Sequence, residues 1–469
     1  MTRIELSLAF HEDGPLYQQL YAHIRDLIQN GSLSHGTKMP SIRSLGSQLN
    51  ISKTTVETAY HMLLDEGYLQ SRERSGLTVI NPQPAKLTGP ATRSRFADVD
   101  LQHATTPAAC KPAFIDFSLL AIDGDSFPLR LWKSVLADAL EINSQSIHQY
   151  GGDPFGESSL RESLASYLRH SRGVDCLPEQ IVIGTGFSYS IQLLSRLFGE
   201  HIHIGIEEPG IAQVRPILSQ NGVQLVPYSL ERDTLRWREP FNLLYATPAH
   251  RPDGTLMPYA QRQQLLQWAR SHQGYIIEDD YDGELRLSGK PVPSLQSLDK
   301  EEAVIYIGTF SKMFTPALRL NYTIFPLHLL GRLRSVERTL SPPSRLEQWA
   351  MQLFIARGHW YRHIRRMRKL YQHKYDRLAQ LLLSTLPKCV QITAGGAGLH
   401  LELAIATETK PETLIQLAQK EGVLVYGSQD AYSHASRGTS KIYLGFGGLT
   451  SHQMELGVQL LKKAWSQVL

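Results

Sequence analysis

The sequence predicts a multidomain protein in which a small N-terminal α+β domain of the winged helix-turn-helix type precedes a larger α/β domain that ends in a small α+β subdomain. Three observations predict this arrangement. Two serine-led helical patterns joined by a tight turn occupy residues 41–65. Short apolar runs alternate with helical stretches beyond residue 112, as in a largely parallel sheet. A segment rich in Pro, Ala, Thr and Ser lies between these two patterns.

Composition and charge exclude several classes of protein. A chain of 469 residues with 42% apolar side chains is long enough for at least two cores. The acidic start and the absence of any apolar run of about 18 residues argue against a signal peptide or a membrane span. Cys110, Cys176 and Cys389 are too widely spaced to indicate a disulfide framework or a zinc site. We therefore expect a cytoplasmic protein with no metal site and no membrane partner, and the net charge of +4 leaves the question of nucleic acid open.

The change in pattern along the chain predicts the domain boundaries. We expect the winged helix-turn-helix domain at residues 1–80, an interdomain linker at 81–112 and the α/β domain at 113–469. The last is divided into a large subdomain at about 113–340 and a small subdomain at about 341–469. The predicted strands of the large subdomain are residues 181–184, 242–246, 275–279 and 303–308. A single long basic helix, roughly Arg345 to Leu383, is expected to open the small subdomain.

The N-terminal pattern indicates a helix-turn-helix. Ser41 is positioned to cap a helix that runs through Leu49, and Ser52 to cap a second helix after a two-residue turn. The N-terminal residues of such a second helix enter the major groove of DNA. Arg72 and Gly76 flank a turn that is typical of a wing. The candidate DNA-binding residues are Arg43, Ser52, Lys53, Thr54, Thr55, Arg72 and Gly76.

Acidic side chains nearly balance the basic ones here, which leaves open a small helical interaction module as an alternative. The spacing favours DNA binding, because MPSIRSLG, ISKTTVETAYHMLLDEGYL and SGLTVI together resemble the GntR-type winged helix. That resemblance implies binding to double-stranded operator DNA. Lys53 replaces the usual arginine of the pattern, which keeps the charge but removes the bidentate guanidinium.

A second group of residues indicates a site for an aldehyde cofactor. In YIGTFSKMFTPALRLNY, Lys312 follows an apolar strand and could form a Schiff base, with hydroxyl and guanidinium donors for a phosphate close by in sequence. In YIIEDDYDGELR, Asp279 and Tyr281 end another strand, where α/β sheets bind ligands. Taken singly, such residues are more often surface features, and it is the combination that is informative.

The combination resembles type I aminotransferases and, more closely, the MocR/GabR regulators, which join a GntR winged helix to such a domain. Blocks such as YGGDPFGESSLRESLASYLRHSRGV, IVIGTGFSYSIQLL, IIEDDYDGELR and GTFSK carry the resemblance over nearly the whole chain. It implies pyridoxal 5'-phosphate as the cofactor, with Lys312 as its Schiff-base lysine, Asp279 beside the pyridine nitrogen and Tyr281 beside the ring 3-oxygen. The remaining implied contacts are Thr309, Ser311, Arg319, Phe187 and Ser188 around the phosphate, and His250 near the ring.

Two positions depart from that family pattern. Tyr443 in KIYLGF stands where an arginine that binds a substrate carboxylate is expected, and Ile211 stands where an aromatic residue stacks on the ring. An ordinary amino-acid effector therefore requires a substitute such as Arg215 or Arg437. The resemblance leaves an amine, an amino acid or a B6 vitamer as the small-molecule effector.

Three functions are compatible with these residues. In the first, which the resemblance favours, a homodimeric transcription regulator changes its operator binding when cofactor or effector occupies the large domain. The second is an active aminotransferase with an accessory DNA-binding domain, against which Tyr443 counts. The third is a cofactor-free scaffold, against which Lys312, Asp279, Tyr281 and Arg319 count. Whether the chain is an enzyme stays open at this point.

Overall fold

The computed structural model describes two compact units, Met1–Pro107 and Ala108–Leu469. The described residues are 8, 11, 14–72, 76–80, 114–149, 152–199, 202–208, 214–230, 234–251, 255–286, 292–394, 398–427 and 439–468. The predicted linker at 81–112 lies outside them. Within those ranges, no helix combines the length and the apolar character that crossing a membrane requires.

In its described residues, the first unit has three helices and a two-stranded antiparallel hairpin, as predicted for a winged helix-turn-helix. The elements are α1 (Leu16–Gln29), α2 (Ile42–Leu49), α3 (Lys53–Asp65), β1 (Leu69–Arg72) and β2 (Gly76–Val79). Leu20, Ile24 and Ile28 lie on one face of α1 and are buried. They pack with Val56 and Leu63 of α3 in a single small core, because apolar residues at helical spacing bury one stripe of each helix.

The serines predicted to cap α2 and α3 do so. Ser41 Oγ accepts a hydrogen bond from the Ser44 amide at 3.2 Å, and Ser52 Oγ accepts one from the Thr55 amide at 3.1 Å. Asn50 ends α2 in the left-handed conformation, with φ of 53°. This conformation, which asparagine tolerates better than most residues, makes the tight turn that sets α3 against α2.

The second unit is built on an eight-stranded mixed sheet. Its strands are β4 (Ile181–Gly184), β5 (His203–Glu207), β6 (Gln224–Leu230), β7 (Leu235–Trp237), β8 (Leu243–Ala246), β9 (Tyr275–Asp280), β10 (Val304–Thr309) and β11 (Asn321–Ile324). They lie in the order β4-β11-β10-β9-β8-β5-β6-β7. The central pairs are parallel, as predicted, whereas β11 and β7 run antiparallel to their neighbours.

Helices cover both faces of this sheet, which explains why its strands are continuously apolar. In β10, Ile305 and Ile307 pack into one core while Tyr306 between them packs into another. The helices of this part are α4 (Leu129–Ile142), α5 (Ser158–Arg172), α6 (Phe187–Phe198), α7 (Val214–Gln220), α8 (Tyr259–His272) and α9 (Leu330–Val336). A short strand near the start of the unit, β3 (Ile115–Asp116), pairs in parallel with residues Val423–Leu424 of the small subdomain.

The small subdomain begins with two helices where the sequence predicted one, so that prediction was wrong. Gly358, with φ of +71°, ends the first helix and caps the second in a left-handed conformation that a helix interior does not allow. The elements are α10 (Arg345–Ala356), α11 (His359–Thr385), β12 (Val390–Ala394), β13 (His400–Ala406), α12 (Pro411–Lys420), β14 (Val423–Leu424), β15 (Tyr426–Gly427), β16 (Thr439–Gly445) and α13 (Ser451–Trp465).

Candidate cofactor site and DNA-binding helix

The turn after β10 and the end of β9 bring the main candidate cofactor residues together. The two strands are parallel neighbours, with Ile307 opposite Asp279. Their carboxyl ends therefore meet at one edge of the sheet, where open α/β sheets bind ligands. Lys312, Asp279 and Tyr281 all lie at this edge.

Asp279 is held by a tyrosine that sequence reasoning missed. Tyr245, near the end of β8, donates its hydroxyl to Asp279 Oδ2 at 2.7 Å, and both side chains are buried. Burial raises the pKa of Asp279 to about 7, although the Tyr245 hydrogen bond opposes this. The signal that could have found Tyr245 is its place at the end of a strand next to β9.

Lys312 has an amine that is easier to deprotonate than usual. Burial lowers its pKa, and the nearby carboxylate of Asp282 partly offsets this. Its Nζ donates to the backbone oxygen of Leu119 at 3.0 Å. A lysine with a lowered pKa has more of the neutral amine that attacks a carbonyl.

The first turn of α6 and Arg319 form a cradle suited to an anion. The amides of Phe187 and Ser188 lie in this turn, beyond the reach of intrahelical carbonyl partners. Gly186, with φ of +133°, precedes them, and a Cβ at this position would lie 2.8 Å from Arg319 Nη2. Glycine is therefore needed both for the backbone conformation and for the approach of the guanidinium.

Two hydroxyl residues and an unpredicted asparagine complete this region. Thr309 Oγ1 donates to Ser311 Oγ at 3.1 Å and accepts from the Ser311 amide at 3.1 Å. Asn321 is buried opposite Thr309 on β11 and accepts from the Gly186 amide at 2.8 Å. It thereby ties the glycine turn to the strand beside Lys312. This role was not predicted because Asn321 is 135 residues from Gly186 in the sequence.

His250 joins the candidate site through contacts that the sequence did not indicate. Its Nδ1 lies 2.5 Å from Asp282 Oδ2 and 3.1 Å from the Tyr281 hydroxyl. His400 of β13 stacks on its ring, with centroids 4.8 Å apart. His250 Nε2 is buried and has no hydrogen-bond partner among the described residues. Gly398 lies so close to the His250 ring that a Cβ at residue 398 would be 2.1 Å from His250 Cε1.

Tyr443, which departs from the aminotransferase pattern, and Arg215, a possible substitute for the missing arginine, both contact acidic side chains. Tyr443 donates its hydroxyl to Glu402 Oε2 at 2.8 Å. Arg215 pairs with Glu208 at 3.1 Å, so this guanidinium already has an anionic partner. Ile211 and Arg437 lie outside the described residues.

Asp279 gives rise to a pH-dependent prediction for the cofactor-free protein. With an ordinary pKa of 3.8 and a folded value of about 7, its carboxyl is protonated in the folded state and ionised in the unfolded chain across this window. The folded state then binds more protons, so this residue makes the free energy of unfolding fall as pH rises from about 4 to 7. We expect Asp279→Asn to remove up to about 4 kcal/mol of that fall.

The measurement is chemical denaturation of wild type and Asp279→Asn at several pH values. Burial also raises the pKa of Glu278 and of Glu284 to about 7, and both proteins share that contribution. The difference between the two curves therefore isolates Asp279. Parallel curves would show that Asp279 ionises normally and would contradict the prediction.

The candidate DNA-binding residues are placed mainly around the start of α3. Lys53 and Thr54 are exposed in its first turn, whereas the Thr55 hydroxyl is engaged with Ser52 Oγ at 2.7 Å. Arg43 is exposed in the first turn of α2. At the hairpin, Arg72 is the last residue of β1 and Gly76 the first of β2, with φ of +86°. No acidic residue occupies the first turn of α3, which suits an approach to phosphate.

Two family models match separate parts of the chain. Residues 16–79 match the model of bacterial regulatory proteins of the gntR family. Residues 120–445 match the model of aminotransferase class I and II.

Several relatives are similar to the chain over nearly its whole length. The chain is 37% identical to an uncharacterized HTH-type transcriptional regulator, YhdI, of Bacillus subtilis (97% of each chain covered). It is 33% identical to the probable rhizopine catabolism regulatory protein MocR of Rhizobium meliloti (97% of this chain and 94% of the relative). It is 30% identical to the pyridoxine biosynthesis regulator PdxR of Corynebacterium glutamicum (95% and 94%).

Among solved structures, the fold is similar to that of Pyrococcus horikoshii kynurenine aminotransferase. That match has a TM-score of 0.67 at 21% identity and covers 76% of this chain and 92% of the other. Because identity is this low, the likeness concerns the fold of the second unit alone.

Proposed function

The chain belongs to the MocR-type bacterial regulators, in which a gntR-family helix-turn-helix is joined to an aminotransferase class I and II domain, and on this premise we propose that it is a pyridoxal-phosphate-dependent transcription regulator. The regulators named among its relatives are similar over at least 94% of both chains, which supports this proposal. Lys312, Asp279 and Tyr281 at one sheet edge carry the cofactor part of it.

The described residues fit pyridoxal phosphate. Lys312 would hold its aldehyde carbon, Asp279 its ring nitrogen, and Tyr281 its ring oxygen. Arg319 and the first-turn amides of α6 would hold the phosphate, and Gly186 leaves the room that their approach requires. When bound, the cofactor supplies an electrophilic carbon that reacts with primary amines. The buried carboxyl of Asp279 fits a ring nitrogen that carries a proton, since a neighbouring positive charge would favour its ionised form.

Binding of cofactor or effector is proposed to change how the winged helix-turn-helix holds operator DNA. Such coupling requires a dimer if two half-sites are read together. Leu120, Leu129 and Ile142 of the second unit have exposed apolar side chains. These support a homodimer, because a subunit interface would remove them from water. A cytoplasmic location follows from the same proposal.

The DNA-binding part is tested with duplexes that the wild-type protein selects from a random-sequence pool. We expect Lys53→Ala and Arg43→Ala each to weaken binding about tenfold, because each removes an exposed charge beside the groove-reading helix. Loss of a phosphate contact would also reduce the slope of log binding constant against log salt concentration by about one.

Arg25→Ala is the matched control for these two variants. Arg25 lies in the same unit but pairs with Asp26 at 3.0 Å, so its loss should leave DNA affinity within about twofold. Failure of the wild type to enrich any sequence, or equal loss in all three variants, would contradict the proposed reading role of α3.

A further inference from the structure

Three polar side chains share one face of the small-subdomain sheet, next to the Lys312 site. Residues alternate across a strand, so His400 and Glu402 of β13 lie on one face. Tyr443 of β16 is opposite Glu402 and shares that face. The intervening residues, Leu401 and Leu403, are buried in the core on the other side. We call His400, Glu402 and Tyr443 the Glu402 face.

Glu402 is a buried carboxylate in the region where the family pattern has a carboxylate-binding arginine. Its side chain is only 2% exposed. It accepts hydrogen bonds from the Tyr443 hydroxyl at 2.8 Å and from Thr393 Oγ1 at 2.7 Å, and Lys441 Nζ lies 3.0 Å away. Tyr443 therefore donates to a protein carboxylate and does not offer its hydroxyl hydrogen to a ligand.

Among the described residues, the basic side chains around this face do not provide a cation for a ligand carboxylate. Burial holds the pKa of His400 well below its usual range, so its ring is neutral near pH 7. Lys441 is paired with Glu402, and His250 is hydrogen-bonded to Asp282. A carboxylate entering here would meet the negative charge of Glu402, and the part of the chain that the structure describes places no guanidinium there to bind it.

A second observation points to a ligand that donates hydrogen bonds. When His250 Nδ1 donates its proton to Asp282, Nε2 of the same ring carries a lone pair. This buried atom has no partner in the described part of the chain, and the ring stacks on His400 of the Glu402 face. In this tautomer Nε2 is an acceptor without a donor, and an amine or ammonium group would supply that donor.

We propose that the Glu402 face makes this protein select a primary amine that lacks a carboxylate, with Glu402 as the residue that determines this specificity. The inference rests on the proposed function, because the amine is recognised beside the cofactor held at Lys312. The expected selectivity depends on the ligand carboxylate. It can therefore be tested with two amines that differ only in that group.

The test uses the full-length protein loaded with pyridoxal phosphate and titrated by calorimetry with ethylamine and with L-alanine. These probes have the same carbon chain and amine, and alanine adds the carboxylate. We expect ethylamine to bind at least tenfold more tightly than alanine. Glu402→Gln keeps the hydrogen-bond acceptor for Tyr443 but removes the charge, so the ratio should fall severalfold.

Reversal of the preference is the sharper form of the test. Tyr443→Arg alone would place a guanidinium against Glu402, which would pair with it, so the arginine must be combined with Glu402→Gln. The double variant should bind alanine at least tenfold more tightly than the wild type does. Tyr443→Phe is the control, since it removes only the hydroxyl and should keep the preference for ethylamine.

The outcomes separate this inference from the proposed function. A wild-type protein that shows no visible band with pyridoxal phosphate would overturn the proposed function and the inference with it. A normal band combined with alanine binding as tight as that of ethylamine, or with no binding of either probe, would overturn only the inference. An unchanged ratio in Glu402→Gln would remove Glu402 from its role.

Discussion

Lys312→Ala is expected to abolish the visible absorbance band that the protein gains when it is supplied with pyridoxal phosphate. Lys312 lies at the shared edge of β9 and β10 with Asp279 and Tyr281, and its lowered pKa favours the neutral amine. Alanine has no amine with which to hold the aldehyde carbon, so loss of the band should be complete. The measurement is the spectrum of each protein after unbound cofactor has been removed on a desalting column.

Lys369→Ala provides the control for this experiment. Lys369 is an exposed lysine on α11, and its replacement should leave the band unchanged. A band that persists in Lys312→Ala would mean that another lysine holds the cofactor and that the assignment of the site is wrong. Absence of a band in the wild type would instead favour a scaffold without cofactor.

Arg172→Met should cost the second unit about 3–5 kcal/mol of unfolding free energy. Arg172 ends α5 and makes a bidentate contact with Asp280, at 2.6 and 3.0 Å. Its guanidinium also donates to the backbone oxygens of Gly283 and Val292. Both charged side chains are at most 3% exposed, so removing the arginine leaves a buried carboxylate without its cation. Asp280 adjoins Asp279, and cofactor affinity should fall as well.

Arg169→Met tests whether burial, rather than charge, causes this loss. Arg169 lies one turn earlier on the same helix and pairs with Asp175 at 2.9 Å, but these side chains are 59% and 84% exposed. Its loss should cost no more than about 1 kcal/mol. Denaturation followed by tryptophan fluorescence reports on the second unit, because all six tryptophans lie between Trp132 and Trp465. Equal effects of the two variants would contradict the prediction.

The sequence was sufficient to predict elements whose stabilising contacts lie within a few residues of one another. The serine caps of α2 and α3 depend on contacts three residues apart, and the strands at 181–184 and 303–308 are short apolar runs bounded by turns. The break at Gly358 was missed because apolar spacing continues across it from one helix to the next. Helical periodicity does not show whether one glycine adopts a left-handed conformation.

The supporting residues of the candidate site were missed for a different reason. Tyr245 reaches Asp279 across 34 positions, and Asn321 reaches Gly186 across 135. His400 comes to His250 from the small subdomain. Such contacts depend on strand order and on the packing of the subdomains, which no local spacing encodes. The lysine, carboxylate and phenol could be proposed because each lies in a short motif of the family pattern, although Lys312 and Asp279 are 33 positions apart.

The serine caps of the helix-turn-helix also have an electrostatic meaning. Serine and aspartate satisfy a helix N-terminus about equally well, but aspartate would bring a negative charge to the end that is proposed to face DNA. With a neutral hydroxyl at Ser52, and no acidic side chain in the first turn, the partial positive charge of the α3 dipole is not cancelled from within the protein. Helix stability and attraction to a polyanion are therefore compatible at this position.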